Sequence, residues 1–170
     1  MELQDALGIA IQHEHKVRDH YARGALEIVD AQGKRVFETL AREEQGHVDY
    51  LESRLVEWNK TGKLSSPKLG TILPPVEWIK QAMGRVESGA VDRLVTQSEM
   101  ELLKTALDLE RQASAFYRGL VDTLAPAHRT LFGRFLEIEE GHVLIVQAEI
   151  DAIAGHGHWF DFMEFSLEAG

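Results

Sequence analysis

The sequence predicts an all-α protein, an antiparallel four-helix bundle with a long crossover between the second and third helices that contains a short helix. Three observations predict it. Four long stretches carry apolar residues alternately three and four apart, the seam of a helix packed in a bundle. The first and second stretches are joined by a short turn, as are the third and fourth, while a segment with Pro, Gly and Ser separates the second from the third. The two halves also repeat one another. Ala10-x3-Glu14-x6-Tyr21 matches Ala106-x3-Glu110-x6-Tyr117, and Glu44-x-Gly46-His47 matches Glu139-x-Gly141-His142. One hairpin cannot cover its own apolar face, whereas two complete one core.

The first helix is expected from Leu3 to Asp30, with the seam Leu3, Leu7, Ala10, Glu14, Val17, Tyr21, Gly24 and Ile28. Gly33, in the break Ala31-Gln32-Gly33, is read as its C-terminal stop. The second helix is expected from Lys34 to Lys60, ended by Thr61-Gly62, with Phe37, Leu40, Glu44, His47, Leu51, Leu55 and Trp58 on its seam. Pro67, Gly70, Pro74 and Pro75 then break any long period. Within the crossover a short helix is expected at Pro75–Val86, with Trp78, Ile79 and Met83 as its apolar side, and a second piece around Ala90–Val95. The third helix is expected to start near Ser98, capped by Ser98 with Glu101, with Thr96 and Glu99 as a competing capping box. Its seam is Leu103, Ala106, Glu110, Ala113, Tyr117, Leu120 and Leu124. Pro126 opens the fourth helix, which carries Leu131 or Phe132, then Phe135, Glu139, His142, Val146, Ile150 and Ile153 and is expected to stop at Gly155. Residues 1–155 are thus read as one bundle. Residues 156–170, with Trp159, Phe160, Phe162 and Phe165, are read as an aromatic tail that docks on the bundle or on a second subunit.

Composition bounds the function. A net charge of -10 argues against nucleic acid and anionic membranes as partners. The absence of cysteine excludes disulfides, thiol chemistry and Cys-bound metals. Residues Met1 to Ala10 hold Glu2 and Asp5 and no apolar h-region, and no apolar run approaches the roughly 18–20 residues of a membrane span. A cytoplasmic location is the expectation.

The chemistry is carried by residues in the seam that are not apolar. Glu and His three apart lie on one helix face, so each Glu-x-x-His aims a carboxylate and an imidazole the same way. Glu14 and Glu110 sit on the other two helices where a heptad asks for Leu or Ile. Four crowded buried carboxylates repel one another and are costly to ionise, whereas two divalent cations balance their charge. Carboxylate and imidazole donors suit iron or manganese, with zinc also possible. The predicted metal ligands are therefore Glu14, Glu44, His47, Glu110, Glu139 and His142. Tyr21 and Tyr117 lie two turns from their glutamates on the same stripe. They are the candidate catalytic residues, each expected to hydrogen-bond a metal-ligating carboxylate of another helix, with plain core packing as the alternative. Gly46 and Gly141, within helices beside both histidines, suggest close helix approach or room for a ligand. His13 and His15 cannot share the face of Glu14 and read as surface or interface residues, with a secondary metal contact as the alternative; His128 reads as exposed, and His156 and His158 as tail docking residues, with metal binding as the alternative. Glu43 and Glu140 point off the seam, and the three tryptophans read as packing.

Glu14, Glu44-x-x-His47, Glu110 and Glu139-x-x-His142, with the crossover between the halves, resemble the ferritin-like superfamily and within it the rubrerythrin family. The resemblance covers roughly residues 3–154. It implies two iron ions in a non-haem site that reduces hydrogen peroxide or dioxygen, and a homodimer, in some members with helix pairs exchanged between chains. Two departures stand out. The cysteine-bound iron of a rubredoxin-like domain has no residues here, so electrons are expected from a separate donor protein. The extra glutamate that rubrerythrins carry three residues past the third-helix ligand is Ala113, and its first-helix counterpart is Val17, so a simpler, symmetric site is expected. Two alternatives remain open at this point: a ferroxidase or iron-handling protein of ferritin type, and a non-redox bundle stabilised by its metal.

Overall fold

The computed structural model describes residues 1–83, 95–160 and 162. Five helices occur among them: α1 (Leu3–Glu27), α2 (Ala31–Thr61), α3 (Val76–Met83), α4 (Gln97–Thr123) and α5 (Pro126–His156). The four long helices form the bundle and α3 lies in the crossover, as the periodicity and the breaks predict. α1 packs along α2, α4 along α5, and α1 against α4, while the backbones of α2 and α5 stand farther apart. No helix among the described residues is long and apolar enough to cross a membrane.

The core falls into two apolar halves. One gathers Leu3, Leu7 and Ala10 of α1, Leu51 of α2, Tyr117 and Leu120 of α4, and Phe132 and Phe135 of α5. The other gathers Val17 and Tyr21, Phe37 and Leu40, Leu103 and Leu107, and Ile145 and Ile153 from the same four helices. Each helix therefore passes from one half to the other, and their order along the chain makes neighbouring helices antiparallel. Glu14, Glu44, Glu110 and Glu139 fall between the halves on all four helices, so the acidic cluster is sealed at both ends by apolar packing. The crossover runs from one end of the bundle to the other: Leu69 joins the first half and Ile79 the second. On the way it is tied to both helices flanking the wide side. Tyr50 of α2 donates to Pro67 O (2.7 Å) and Arg134 of α5 donates to Leu69 O (3.2 Å).

Helix ends differ from the sequence reading in four places, each for a local reason. α1 ends at Glu27, and Ile28 and Asp30 are extended, because Asp30 caps α2: its carboxylate accepts from the backbone N–H of Gln32 (2.9 Å) and Gly33 (3.1 Å). Gly33 is therefore inside the first turn of α2, not a stop; it is needed because a Cβ there would lie 2.2 Å from the Trp159 indole. α4 begins at Gln97 with Thr96 and Glu99 as a reciprocal capping box, so the Ser98 and Glu101 alternative is not used. Glu99 decides this because it also accepts from the N–H groups of Val29 (3.0 Å) and Asp30 (3.1 Å), fastening the start of α4 to the α1–α2 turn. α5 passes through Gly155 and stops at Gly157, which takes the left-handed conformation (φ 77°). Gly62 ends α2 in the same way (φ 63°). The short helix expected to reach Val86 is described as far as Met83, and most of the piece around Ala90–Val95 lies outside the described residues.

Beyond α5, Trp159, Phe160 and Phe162 are buried. Trp159 meets the ring of Phe37 edge-on at 6.0 Å, and the Phe160 N–H donates to buried Glu149 (2.6 Å). The described part of the tail thus packs on its own bundle. The remaining tail positions, Phe165 among them, lie outside the described residues.

Candidate metal centre

Helix periodicity brings the six predicted ligands to one place. Glu14, Glu44, Glu110, Glu139, His47 and His142 are all essentially inaccessible to solvent. One set of donor atoms comes from Glu14, Glu44, His47 and Glu139, a second from Glu44, Glu110, Glu139 and His142, and within each set the atoms lie within 4.8 Å of one another. Glu44 and Glu139 belong to both. The arrangement is that of two adjacent cation positions, each with one histidine and one glutamate of its own, joined by two shared carboxylates.

The orientation of the rings supports this. His47 turns Nδ1 to Glu14 Oε2 (3.0 Å), Glu44 Oε2 (3.1 Å) and Glu139 Oε1 (3.5 Å). His142 turns Nδ1 to Glu44 Oε1 (2.7 Å), Glu110 Oε2 (3.5 Å) and Glu139 Oε2 (3.8 Å). The two imidazoles stack with centroids 5.4 Å apart and planes at 12°. Many of these atoms converge without pairing. Glu44 Oε1, Glu110 Oε2, both oxygens of Glu139 and Nδ1 of His142 are buried and make no hydrogen bond. Buried polar atoms left in this state are costly. Carboxylate oxygens and imidazole nitrogens that converge in this way are what a pair of cations resolves, so the residues fit a di-metal group.

The two tyrosines complete a reciprocal pattern. Tyr21 of α1 donates to Glu110 Oε1 of α4 (2.5 Å), and Tyr117 of α4 donates to Glu14 Oε1 of α1. Each bond occupies one oxygen and leaves the other, Oε2, facing the histidine of its own position. Burial, the facing glutamate carboxylates and these bonds push both phenols well above their ordinary pKa, so the proton stays on the tyrosine.

Electrostatics without metal shows how strained the cluster is. Burial and the neighbouring Glu44 raise Glu14 to about 7. Burial, Glu14 and Glu44 hold Glu139 well above the carboxylate range. Burial alone pushes Glu44 up as well, but the two imidazoles outweigh it and hold it well below that range. Burial works against a charged His47, yet Glu44 and Glu14 raise it to about 10, and His142 is raised well above 6.5 against the same desolvation by Glu44, Glu110 and Glu139. Metal-free, the cluster neutralises itself with protons.

Several side chains sit elsewhere than the sequence suggests. Glu43, read as pointing off the seam, is buried; its Oε2 accepts the Ile72 N–H (3.2 Å), because the crossover roofs the wide α2–α5 side. His128 is half-buried edge-on to Trp58, not exposed. Nothing lies within 4 Å of a Cβ built on Gly46 or Gly141, which removes close helix approach as their reason. Gly141 instead borders a cleft of about 350 Å³ under the crossover, with Leu73, Pro75, Arg134 and Ile138. His13 stacks on Phe116 and His15 faces Glu52, outside the ligand set. Glu140 pairs with Arg118 at the surface. His156 and His158 join no potential metal group among the described residues. Two further titratable side chains are buried: His20, whose Nε2–H donates to Leu102 O (2.9 Å), and Glu149. The signal for Glu149 was its place seven residues past His142 on the same stripe.

Comparison with protein-family models, with curated proteins and with solved structures finds no match. The functional reading therefore rests on the residues and their geometry.

Proposed function

We propose that the chain is a non-haem di-iron oxidoreductase of rubrerythrin-like type, reducing hydrogen peroxide or dioxygen with electrons from a separate donor protein, and working as a homodimer. The observation that carries this reading is the pair of donor sets sharing Glu44 and Glu139. Glu14 and His47 would hold one ion and Glu110 and His142 the other. When bound, a pair of Fe(II) ions supplies the two electrons that turn one hydrogen peroxide and two protons into two waters.

The chain's own residues do the rest. Glu44 and Glu139 set the spacing of the two positions. Tyr21 and Tyr117 orient Glu110 and Glu14 by holding one carboxylate oxygen each. The apolar layers on both sides, with Phe135 edge-on to His47 at 5.4 Å, keep bulk water from the cluster. The sequence holds no cysteine that could carry an electron-relay iron, and the proposed source of the reducing equivalents is a donor protein.

The test is anaerobic loading with Fe(II) followed by rapid mixing with hydrogen peroxide. Two Fe(II) oxidised per peroxide, much faster than free Fe(II) at the same pH, is the expected result. Oxidation no faster than that of free iron overturns the reading. Rapid reaction with dioxygen and growth of a mineral core inside a large shell of subunits would replace it with iron storage.

A further inference from the structure

We propose that Glu43 is a positioning residue for both histidines, its carboxylate accepting the Nε2–H of His47 and of His142 on the side of the rings away from the carboxylate cluster. The inference deepens the di-metal reading and rests on it. Both rings turn Nδ1 toward the cluster, so both turn Nε2 away from it. His47 Nε2 and His142 Nε2 are buried and without hydrogen-bond partners, and Glu43 Oε1 is a third such atom. The three residues bring one donor or acceptor atom each within 4.8 Å of one another, and His47 Nε2 is 4.0 Å from Glu43 Oε1. The Glu43 side chain is 5% exposed.

This trio could be taken for a third cation position, but the chemistry of the rings argues otherwise. An imidazole that gives its Nδ1 lone pair to a metal carries its proton on Nε2, where it can only donate. His47 Nε2 stands 4.0 Å from Glu43 Oε1 and a ring nitrogen of His142 lies within 4.8 Å of a Glu43 oxygen, so two buried rings have one carboxylate acceptor at hand. Closing the gap by about 1 Å, or one bridging water, brings His47 to hydrogen-bond length.

Two further facts make the role specific. Glu43 Oε2 is already held by the Ile72 N–H (3.2 Å), which aims Oε1 inward and links the crossover to the centre. In the internal repeat the position before Glu139 is Ile138, so α5 supplies no equivalent carboxylate. One residue from one half thus serves the histidines of both, and the near-symmetric site acquires a definite asymmetry.

The experiment compares wild type with Glu43→Gln and Glu43→Leu, using Zn(II), which is redox-silent and diamagnetic. Affinity is read by chelator competition, and the imidazole N–H resonances by NMR of the loaded protein. The expected result is about 10- to 100-fold weaker Zn(II) binding in Glu43→Leu, a smaller loss in Glu43→Gln, and an upfield move of the Nε2–H resonances in both. Glu43→Gln keeps the shape of the side chain and decides the matter if the leucine variant does not fold. Unchanged affinity with unchanged N–H resonances in a folded variant overturns the proposal. Wild-type protein that takes up no pair of Zn(II) ions overturns both it and the di-metal reading. Normal Zn(II) effects with no reaction of the iron form overturn only the oxidoreductase reading.

Discussion

Proton release on metal uptake is the sharpest consequence of the cluster's electrostatics. Without metal, His47 titrates at about 10 and His142 well above its usual value, so both are cationic at pH 7. Glu139 is held toward its neutral form, and Glu14, at about 7, is half-protonated. Metal ligation needs both imidazoles neutral and the carboxylates ionised. Loading two divalent ions at pH 7 therefore expels at least the two imidazolium protons, with more from Glu14 and Glu139, and the overall binding constant rises by at least about two orders of magnitude per pH unit. At 1.36 kcal/mol per unit and proton, two protons are worth about 2.7 kcal/mol. The metal-free fold responds in the opposite sense. A folded pKa raised above the unfolded one stabilises fully below the unfolded value and is lost as pH climbs through the folded value. For His47 that window runs from about 6.5 to about 10, and for Glu14 from 4.5 to about 7. The metal-free bundle thus weakens through neutral pH while the loaded one tightens, and the gap between their melting temperatures widens from pH 6 to pH 8. Calorimetric titration with Zn(II) in buffers of different ionisation enthalpy gives the proton count directly. Release of less than one proton per pair, or a gap that narrows with rising pH, refutes the reasoning.

Three further expectations concern two helical glycines and the tyrosines. Gly46 is an exposed helical glycine with open space around it, so Gly46→Ala should raise stability by about 0.5–1 kcal/mol in urea unfolding, with metal content unchanged. Gly24→Ala should instead destabilise by about 1–3 kcal/mol, since the new Cβ would stand 2.5 Å from the buried Phe37 ring. Tyr21→Phe and Tyr117→Phe each leave a buried carboxylate oxygen without its donor, and each should cost the metal-free protein about 1–3 kcal/mol by the same measurement. If those variants unfold like wild type, the phenol–carboxylate bonds hold nothing.

What was legible in the sequence, and what was not, follows from how a helix records its surroundings. A residue facing a neighbouring long helix recurs at the helical period. Glu14, Glu44, His47, Glu110, Glu139, His142, Tyr21 and Tyr117 could therefore be read from spacing alone, and the repeat paired them across halves. A residue facing an irregular segment carries no such mark. Glu43 stands one position before Glu44, about 100° around the helix, where the period predicts solvent. It is buried because the crossover, which has no period, closes over the wide side between α2 and α5. Gly33 looked like a stop because glycine commonly ends helices; its real constraint, the Trp159 ring, arrives from more than a hundred residues away. The Thr96–Glu99 cap beat Ser98–Glu101 through bonds from Val29 and Asp30 that no local pattern contains. The same reasoning explains why a duplicated sequence need not build a symmetric centre. The repeat acts on each hairpin alike, but the chain has one crossover, and it can roof only the α2–α5 side. Position 43 in one half meets that roof through Ile72, and its counterpart Ile138 borders the cleft under the same crossover and packs beside Phe135, but it is apolar and offers the histidines no acceptor. A second polar support for the histidines is thus absent from α5, and the two metal positions, alike in their ligands, differ in what stands behind them.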